Sequence, residues 1–220
     1  MAIRFDDTHR QPAIHGWLHV PERPGDRAIV LTHGAGSDCN ARLLVEMAEA
    51  LAGEGFTVLR FDLPFRRARP HGPPFPAAAA RDRDGLRRAV SLMREQKHRQ
   101  VFMSGHSYGG RQASMLAAEE PGLTDGLLLF SYPLHPPRKP EELRTKHFPK
   151  LTTPAFFIHG ARDPFATGAE MESALELIPG AHAVLEVDAA GHELLSKKGG
   201  DELPSRVVGE FLGFLKAIEN

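Results

Sequence analysis

The chain has 220 residues and a formal net charge of −1, and 41% of its residues are hydrophobic and 25% charged. These values are typical of a globular protein. They exclude collagen, coiled-coil and disordered classes, and the length predicts a single domain over residues 1–220. No apolar run approaches the roughly 18 residues of a membrane span, and the near-zero charge provides no general attraction to nucleic acid or to a membrane surface.

Short apolar runs alternate with amphipathic stretches along the chain. Apolar and β-branched runs predict buried strands, and apolar residues at i, i+3, i+4 and i+7 predict one face of a helix. In chain order, strands are predicted over 27–33, 56–62, 100–105, 126–132, 155–160 and 182–188. Helices are predicted around 44–51, 86–93, 108–119, 171–178 and 208–215, and Pro-rich loops over 64–76 and 133–154. Residues 13–20 are compatible with an antiparallel edge strand.

This alternation of strands and helices predicts an α/β fold. Strands that are apolar throughout are buried on both faces, so we expect a mostly parallel, doubly wound sheet with helices on both sides. In such sheets the ligand site lies beyond the carboxyl ends of the strands. Candidate functional residues are therefore sought where the predicted strands end.

A G-x-S-x-G pattern, Gly105-His106-Ser107-Tyr108-Gly109, joins a predicted strand to a predicted helix. In that context the pattern is typical of a nucleophile elbow, a tight turn that needs small residues on either side of an exposed serine. Ser107 is the candidate nucleophile, and the backbone N–H of Tyr108 is a candidate oxyanion donor. The turn at 33–36, His-Gly-Ala-Gly, ends another strand, and the N–H of Ala35 is the candidate second donor.

An aspartate and a histidine at two other strand ends complete a candidate catalytic triad with Ser107. Asp163 follows the strand 155–160, and His192 follows the strand 182–188. A serine needs a neighbouring base to become a nucleophile, and the carboxylate orients that base. The chain order Ser107, Asp163, His192 matches the order in α/β-hydrolases. Asp188 is a weaker alternative for the acid, because it belongs to the predicted strand.

Candidate substrate contacts lie in two loops. Residues 66–99 carry a local charge of +7, and Arg66, Arg67 and Arg69 lie in a loop that starts at the predicted catalytic edge. They are candidates for binding an anionic substrate, with a solvated basic loop as the alternative. His135 follows another strand and is also a candidate contact.

Motifs for metals and cofactors are absent from the sequence. It holds no H-E-x-x-H, C-x-x-C, P-loop or complete G-x-G-x-x-G pattern, so we expect neither a metal nor a cofactor. The single cysteine, Cys39, excludes a disulfide within the chain and lacks an elbow of its own, which indicates a structural or mildly reactive thiol and not a nucleophile. Because the first ten residues also lack an apolar signal region, we expect a cytoplasmic protein.

The sequence resembles the α/β-hydrolase superfamily over nearly its whole length. More narrowly, it resembles a small dienelactone-hydrolase-like group whose eukaryotic relatives include a testis-expressed protein and a regulatory subunit of a histone-acetylating complex. The resemblance is carried by HGAG at 33–36, GHSYGGR at 105–111, SYPLHPPRKPEELRT at 131–145, HGARDPF at 159–165 and GH at 191–192. It implies a Ser107, Asp163, His192 triad without a cofactor. Dienelactone hydrolases proper carry a cysteine at the elbow, where this chain has Ser107.

Together these features predict a cofactor-independent serine hydrolase, of carboxylesterase type, that forms an acyl-enzyme. The connection 133–154 is too short and Pro-rich for a large cap domain, which favours an open site for a small ester-like molecule. Two alternatives stay open: a thioesterase or peptidase with the same machinery, and a non-catalytic interaction module on the same fold. We expect no nucleic-acid or membrane partner, and the sequence leaves the oligomeric state open.

Overall fold

The computed structural model describes residues 1–196 and 202–219. Eight strands form one sheet: β1 (Ala2–Asp7), β2 (Ile14–His19), β3 (Arg27–Thr32), β4 (Thr57–Phe61), β5 (Gln100–His106), β6 (Leu127–Phe130), β7 (Ala155–Gly160) and β8 (His182–Val187). The helices of the described residues are α1 (Arg42–Gly53), α2 (Pro64–Ala68), α3 (Ala79–Glu95), α4 (Tyr108–Glu119), α5 (Gly168–Leu175) and α6 (Leu203–Glu219).

The strands lie in the order β1-β2-β4-β3-β5-β6-β7-β8. All pairs from β4 to β8 are parallel, which confirms the predicted mostly parallel sheet. The antiparallel strand predicted at 13–20 is present as β2, but its predicted edge position is wrong. An unpredicted strand, β1, pairs with β2 from Ala2↔His19 to Asp7↔Ile14 and forms the edge instead.

The helices cover both faces of the sheet, as predicted. On one face, apolar residues of α1 and α6 pack against the strands, including Leu44 and Phe211. On the other face, α3, α4 and α5 contribute the apolar residues, including Leu86, Leu116 and Met171. Because both faces are covered, the central strands β3 to β7 are buried almost throughout, which explains their continuous apolar runs.

The positive charge of residues 66–99 is largely matched by acidic neighbours. Four arginines of α3 contact carboxylates of other segments through the pairs Arg83–Glu119, Arg87–Glu120, Arg88–Asp7 and Arg94–Asp125. The more exposed of these pairs, Arg87–Glu120 and Arg94–Asp125, contribute about 0–1 kcal/mol each, so their main effect is to neutralise the local charge.

The two Pro-rich segments differ from each other in the structure. The segment predicted as a loop at 64–76 begins with the short helix α2, because Pro64 at its first position suits the start of a helix. The connection 131–154 contains one 3₁₀ turn, Phe148–Lys150, and no cap domain, as predicted. Within the described residues, no helix is long and apolar enough to cross a membrane.

Candidate active site

Ser107 lies at a sharp turn between β5 and α4. Its backbone angles, φ 51° and ψ −113°, are strained for a residue with a side chain. The glycines around it leave room for this turn, since a Cβ on Gly105 would lie 2.5 Å from the backbone carbon of Gly109. A Cβ on Gly109 would lie 2.6 Å from the carbonyl oxygen of His33. The predicted elbow geometry is therefore present, and it holds the serine hydroxyl at the carboxyl edge of the sheet.

The structure brings Ser107, His192 and Asp163 together in one hydrogen-bonded row. His192 Nε2 lies 2.8 Å from Ser107 Oγ, and His192 Nδ1 lies 2.8 Å from Asp163 Oδ2. The other carboxylate oxygen of Asp163 accepts the backbone N–H of Phe165 at 2.9 Å, which fixes the carboxylate. Asp188, the alternative acid, is exposed beyond the end of β8. The row has the spacing that general-base activation of a serine requires.

Two donors hold the backbone of His192. Its carbonyl oxygen accepts a hydrogen bond from His106 Nε2 at 2.9 Å and another from Ser131 Oγ at 2.7 Å. Burial lowers the pKa of His106, which keeps that ring neutral with its proton on the donating nitrogen. Ser131 is not distinguished in the sequence, because the predicted strand 126–132 runs past it. In the structure it lies directly after β6 with a positive φ of 47°, which turns it out of the strand.

The predicted oxyanion donors, the N–H groups of Ala35 and Tyr108, lie on two turns beside Ser107. Tyr108 is the first residue of α4, so its N–H has no acceptor within the helix. Among the described residues, the N–H of Ala35 also donates to no backbone carbonyl. Both groups are thus free to donate to a developing oxyanion, if substrate is bound against Ser107.

A buried arginine holds the turn that carries Ala35. Arg66 is 7% exposed and donates from Nη2 to the carbonyl of Ala35 at 2.7 Å and from Nε to the carbonyl of Ser37 at 2.8 Å. A third bond runs from Nη1 to the carbonyl of Arg69 at 3.1 Å. Hydrogen bonds from a guanidinium are stronger than neutral ones, so Arg66 fixes the peptide between Ala35 and Gly36, which directly follows the peptide that carries the Ala35 N–H.

His33 supports the same turn from the side of the sheet. Its Nε2 accepts the backbone N–H of Leu63 at 3.1 Å, so the proton of the ring lies on Nδ1. Nδ1 then donates to the carbonyl of Gly34 at 2.9 Å. Burial lowers the pKa of His33 and favours this neutral form.

Asp82 connects the elbow to helix α2. This fully buried carboxylate accepts the hydroxyl of Tyr108 at 2.7 Å on one oxygen and the N–H of Phe65 at 2.9 Å on the other. Burial raises the pKa of Asp82, and the two donors oppose that shift. Phe65 directly precedes Arg66, which binds the carbonyl of Ala35. Asp82 therefore connects the elbow directly to α2 and, through Arg66, to the turn that carries Ala35.

A cavity of about 460 Å³ lies in front of Ser107, and its lining includes Gly34, Ala35, Ser107, Phe165, His192 and Glu193. The ring of Phe165 packs against the imidazole of His192, with 4.4 Å between ring centroids. Glu193 is exposed at this cavity and contributes a negative charge. The cavity is therefore open and partly apolar, and none of the described residues that line it is an arginine.

The candidate substrate contacts are not among the described residues that line this cavity. Arg66 is bonded to carbonyls of the Ala35 turn, and Arg67 is exposed on α2. Arg69 donates to the carbonyl of His71 at 2.9 Å and packs over the ring of Phe75. His135 is buried and faces Glu170, with 3.4 Å between its Nε2 and the carboxylate. Sequence position could place these residues near the catalytic edge but could not give the direction of their side chains.

Cys39 is buried, and its own backbone carbonyl accepts a hydrogen bond from Arg60 Nη1 at 2.6 Å. Burial, with the nearby Asp62 carboxylate, raises the pKa of its thiol to about 12. Because the thiolate is the reactive form, we expect iodoacetamide at pH 8 to leave Cys39 unmodified in the folded protein. Intact-protein mass spectrometry should show one added alkyl group after unfolding in guanidinium chloride and none before. Rapid labelling of the folded protein would contradict this.

Within the described part of the chain, no three His, Cys, Asp or Glu side chains cluster as a metal site would require. The strained elbow serine, the histidine that bridges it to a carboxylate, and the mostly parallel sheet together define an α/β-hydrolase. The model of the alpha/beta hydrolase domain family matches residues 25–211, and the chain belongs to this family.

Solved structures with the same fold cover almost the whole chain. A dienelactone hydrolase from Anabaena variabilis is 20% identical and matches with a TM-score of 0.72, over 96% of this chain and 94% of its own. Est1E from Butyrivibrio proteoclasticus is 17% identical, with a TM-score of 0.73 and coverage of 100% and 99%. An esterase from Pyrococcus furiosus is 20% identical, with a TM-score of 0.74 and coverage of 97% and 91%. These likenesses establish the α/β-hydrolase fold of this chain.

Proposed function

We propose that the protein is a cofactor-independent serine hydrolase that cleaves carboxylic esters through an acyl-enzyme on Ser107. The observation that carries this proposal is the position of His192, whose two ring nitrogens lie 2.8 Å from Ser107 Oγ and 2.8 Å from Asp163 Oδ2. An imidazole held in this way can accept the serine proton while the carboxylate stabilises the imidazolium.

In the first half of the reaction, Ser107 Oγ attacks the ester carbonyl carbon and His192 Nε2 takes the hydroxyl proton. The carbonyl oxygen becomes an oxyanion and accepts the N–H groups of Ala35 and Tyr108. The tetrahedral intermediate then collapses, and the alcohol leaves with the proton from His192. In the second half, water attacks the acyl-enzyme with His192 again as the base, and the acid product leaves Ser107 free.

The cavity favours small esters with an uncharged acyl group. Phe165 provides an apolar surface beside His192, and Glu193 disfavours an anionic acyl chain at the same opening. The Arg66 side chain is already bonded to three backbone carbonyls, so it is not available to pair with a substrate carboxylate. Est1E has been solved with ferulic acid bound, which makes a feruloyl ester a useful test substrate.

Within the alpha/beta hydrolase family, we place the chain in the dienelactone-hydrolase-like group, which its motifs and its similarity to the Anabaena structure support. Residues 1–220 form a single domain in this proposal, since one sheet takes strands from β1 to β8 and α6 packs on its face. A cytoplasmic location is supported by the single, buried cysteine.

A panel of purified substrates tests the reaction class. We expect hydrolysis of p-nitrophenyl butyrate and methyl ferulate, slower hydrolysis of p-nitrophenyl hemisuccinate, and little cleavage of a peptide anilide. A higher kcat/KM for an acyl thioester would assign the thioesterase alternative, and a higher value for the anilide would assign a peptidase. Absence of turnover for every substrate would favour the non-catalytic interaction module.

A further inference from the structure

A second cavity, larger than the one at Ser107, lies on the outer side of α4. Its volume is about 700 Å³, and it is bounded by α4 and by residues 143–150 of the connection between β6 and β7. Arg111, one turn after Ser107 in α4, lies at this cavity, whereas Ser107 and His192 do not line it. The mechanism described above uses none of the side chains in this place.

The lining of this cavity is strongly basic. Among the described lining residues, Arg111, Arg144, Lys146 and Lys150 contribute four positive charges, and Glu119 contributes one carboxylate. That carboxylate is already bonded to Arg83 Nε at 3.0 Å. In the part of the chain that the structure describes, none of the four cations forms an ion pair. This contrasts with α3 on the same face, whose arginines contact carboxylates.

The two guanidinium groups are partly removed from water, and among the described residues neither forms an ion pair with a carboxylate. The Nε of Arg111 is buried and has no hydrogen-bond partner among the described residues. Arg144 is half-buried and donates to the backbone carbonyl of Pro133 at 3.1 Å. Burial lowers the pKa of Arg144, the positive charge of Arg111 lowers it further, and the Glu142 carboxylate opposes this shift less strongly. Placing like charges together costs free energy unless an anion binds between them.

Apolar side chains share the cavity with these charges. Met115 and Ala118 extend along α4, and Leu143, which is 46% exposed, lies at the opening. His147 is bonded to Ser114 Oγ at 2.8 Å, and burial lowers its pKa to about 4, so it adds no charge at neutral pH. The cavity therefore combines a cationic end with an apolar surface.

We propose that this cavity is a binding site for a small amphiphilic anion, with a phosphate or carboxylate head group held by Arg111 and Arg144 and an aliphatic part that contacts Met115 and Leu143. The site is separate from the cavity at Ser107. It does not depend on the proposed hydrolase reaction, because the triad contributes none of its lining.

Isothermal titration calorimetry tests the proposal with octyl phosphate, kept below its micelle concentration. We expect one molecule bound per chain, weaker binding of inorganic phosphate, and no binding of octyl glucoside. The Arg144→Gln variant should weaken octyl phosphate binding at least about tenfold, as loss of a charged hydrogen bond predicts. Added salt should also weaken binding, because the head group is partly exposed.

A second variant guards against misfolding, since Arg144 also bonds to a backbone carbonyl. Lys146→Gln/Lys150→Gln removes two charges that have no such role and should also weaken binding. The matched control, Lys97→Gln/Arg138→Gln, removes two cations outside the cavity and should bind octyl phosphate as the wild type does. Absence of saturable binding, or equal loss in the cavity and control variants, would overturn the proposal. Equal affinity for inorganic phosphate would overturn the apolar part of the site.

Discussion

Replacing Ser107 with alanine is expected to reduce kcat for p-nitrophenyl butyrate by about 10⁶-fold, the loss seen when a triad nucleophile is removed. The substitution deletes one hydroxyl at the edge of the sheet, and the neighbouring glycines continue to accommodate the turn. Alanine at a φ of 51° remains strained, as serine is, so the free energy of unfolding should change little. Steady-state kinetics and thermal unfolding of both proteins provide the measurement.

Ser114→Ala serves as the control for this experiment, because it removes a buried serine hydroxyl from the same helix without touching the triad. It should lower the thermal stability slightly and leave kcat near the wild-type value. If Ser107→Ala kept kcat within about tenfold of the wild type, the assignment of Ser107 as the nucleophile would be wrong.

Replacing Arg66 with methionine is expected to reduce kcat by about 10²-fold with little change in KM for a neutral ester. Methionine fills part of the same volume but cannot donate to the carbonyls of Ala35 and Ser37, which Arg66 binds at 2.7 and 2.8 Å. The peptide between Ala35 and Gly36 can then rotate, and because it shares the Cα of Ala35 with the peptide that carries the donor N–H, that donor is held less firmly against the oxyanion. Loss of a single oxyanion-hole donor costs about 10²–10³-fold in kcat. Steady-state kinetics on p-nitrophenyl butyrate show whether kcat falls while KM stays nearly constant.

Two companion variants separate positioning from simple loss of stability. Arg66→Lys keeps one cationic donor and should recover part of kcat, whereas Arg67→Met, on the same short helix but exposed, should match the wild type. The result that contradicts this interpretation is a rise in KM for p-nitrophenyl hemisuccinate, with kcat for the neutral ester unchanged. That result would instead return Arg66 to the role of a substrate contact.

The strands and helices with clear periodicity could be predicted from the sequence because burial on both faces leaves a strong apolar signal. Strand β1 lacks that signal. Five of its six residues, AIRFDD, are exposed or half-buried at the sheet edge, so pairing with β2 and not hydrophobicity defines it. Helix α2 was not predicted because it lies in the Pro-rich segment 64–76, which is typical of a loop. Its own proline, Pro64, occupies the first helical position, where proline is tolerated.

The candidate site was predictable to the extent that it consists of residues at strand ends. Ser107, Asp163 and His192 follow β5, β7 and β8, and parallel strands bring their carboxyl ends to one edge. The support around them could not be predicted. Whether Arg66 turns towards substrate or towards the Ala35 carbonyl depends on packing between segments that are distant in sequence.

Reaction with a fluorophosphonate probe, followed by peptide mapping, tests whether Ser107 is a nucleophile activated by His192. Such a probe phosphonylates a serine whose hydroxyl is activated by a neighbouring base, and it requires no knowledge of the natural substrate. We expect one adduct per chain on the peptide containing Ser107, and no adduct on that peptide in His192→Ala, which lacks the base. An unmodified Ser107 in the wild type, or labelling that persists unchanged in His192→Ala, would contradict this expectation.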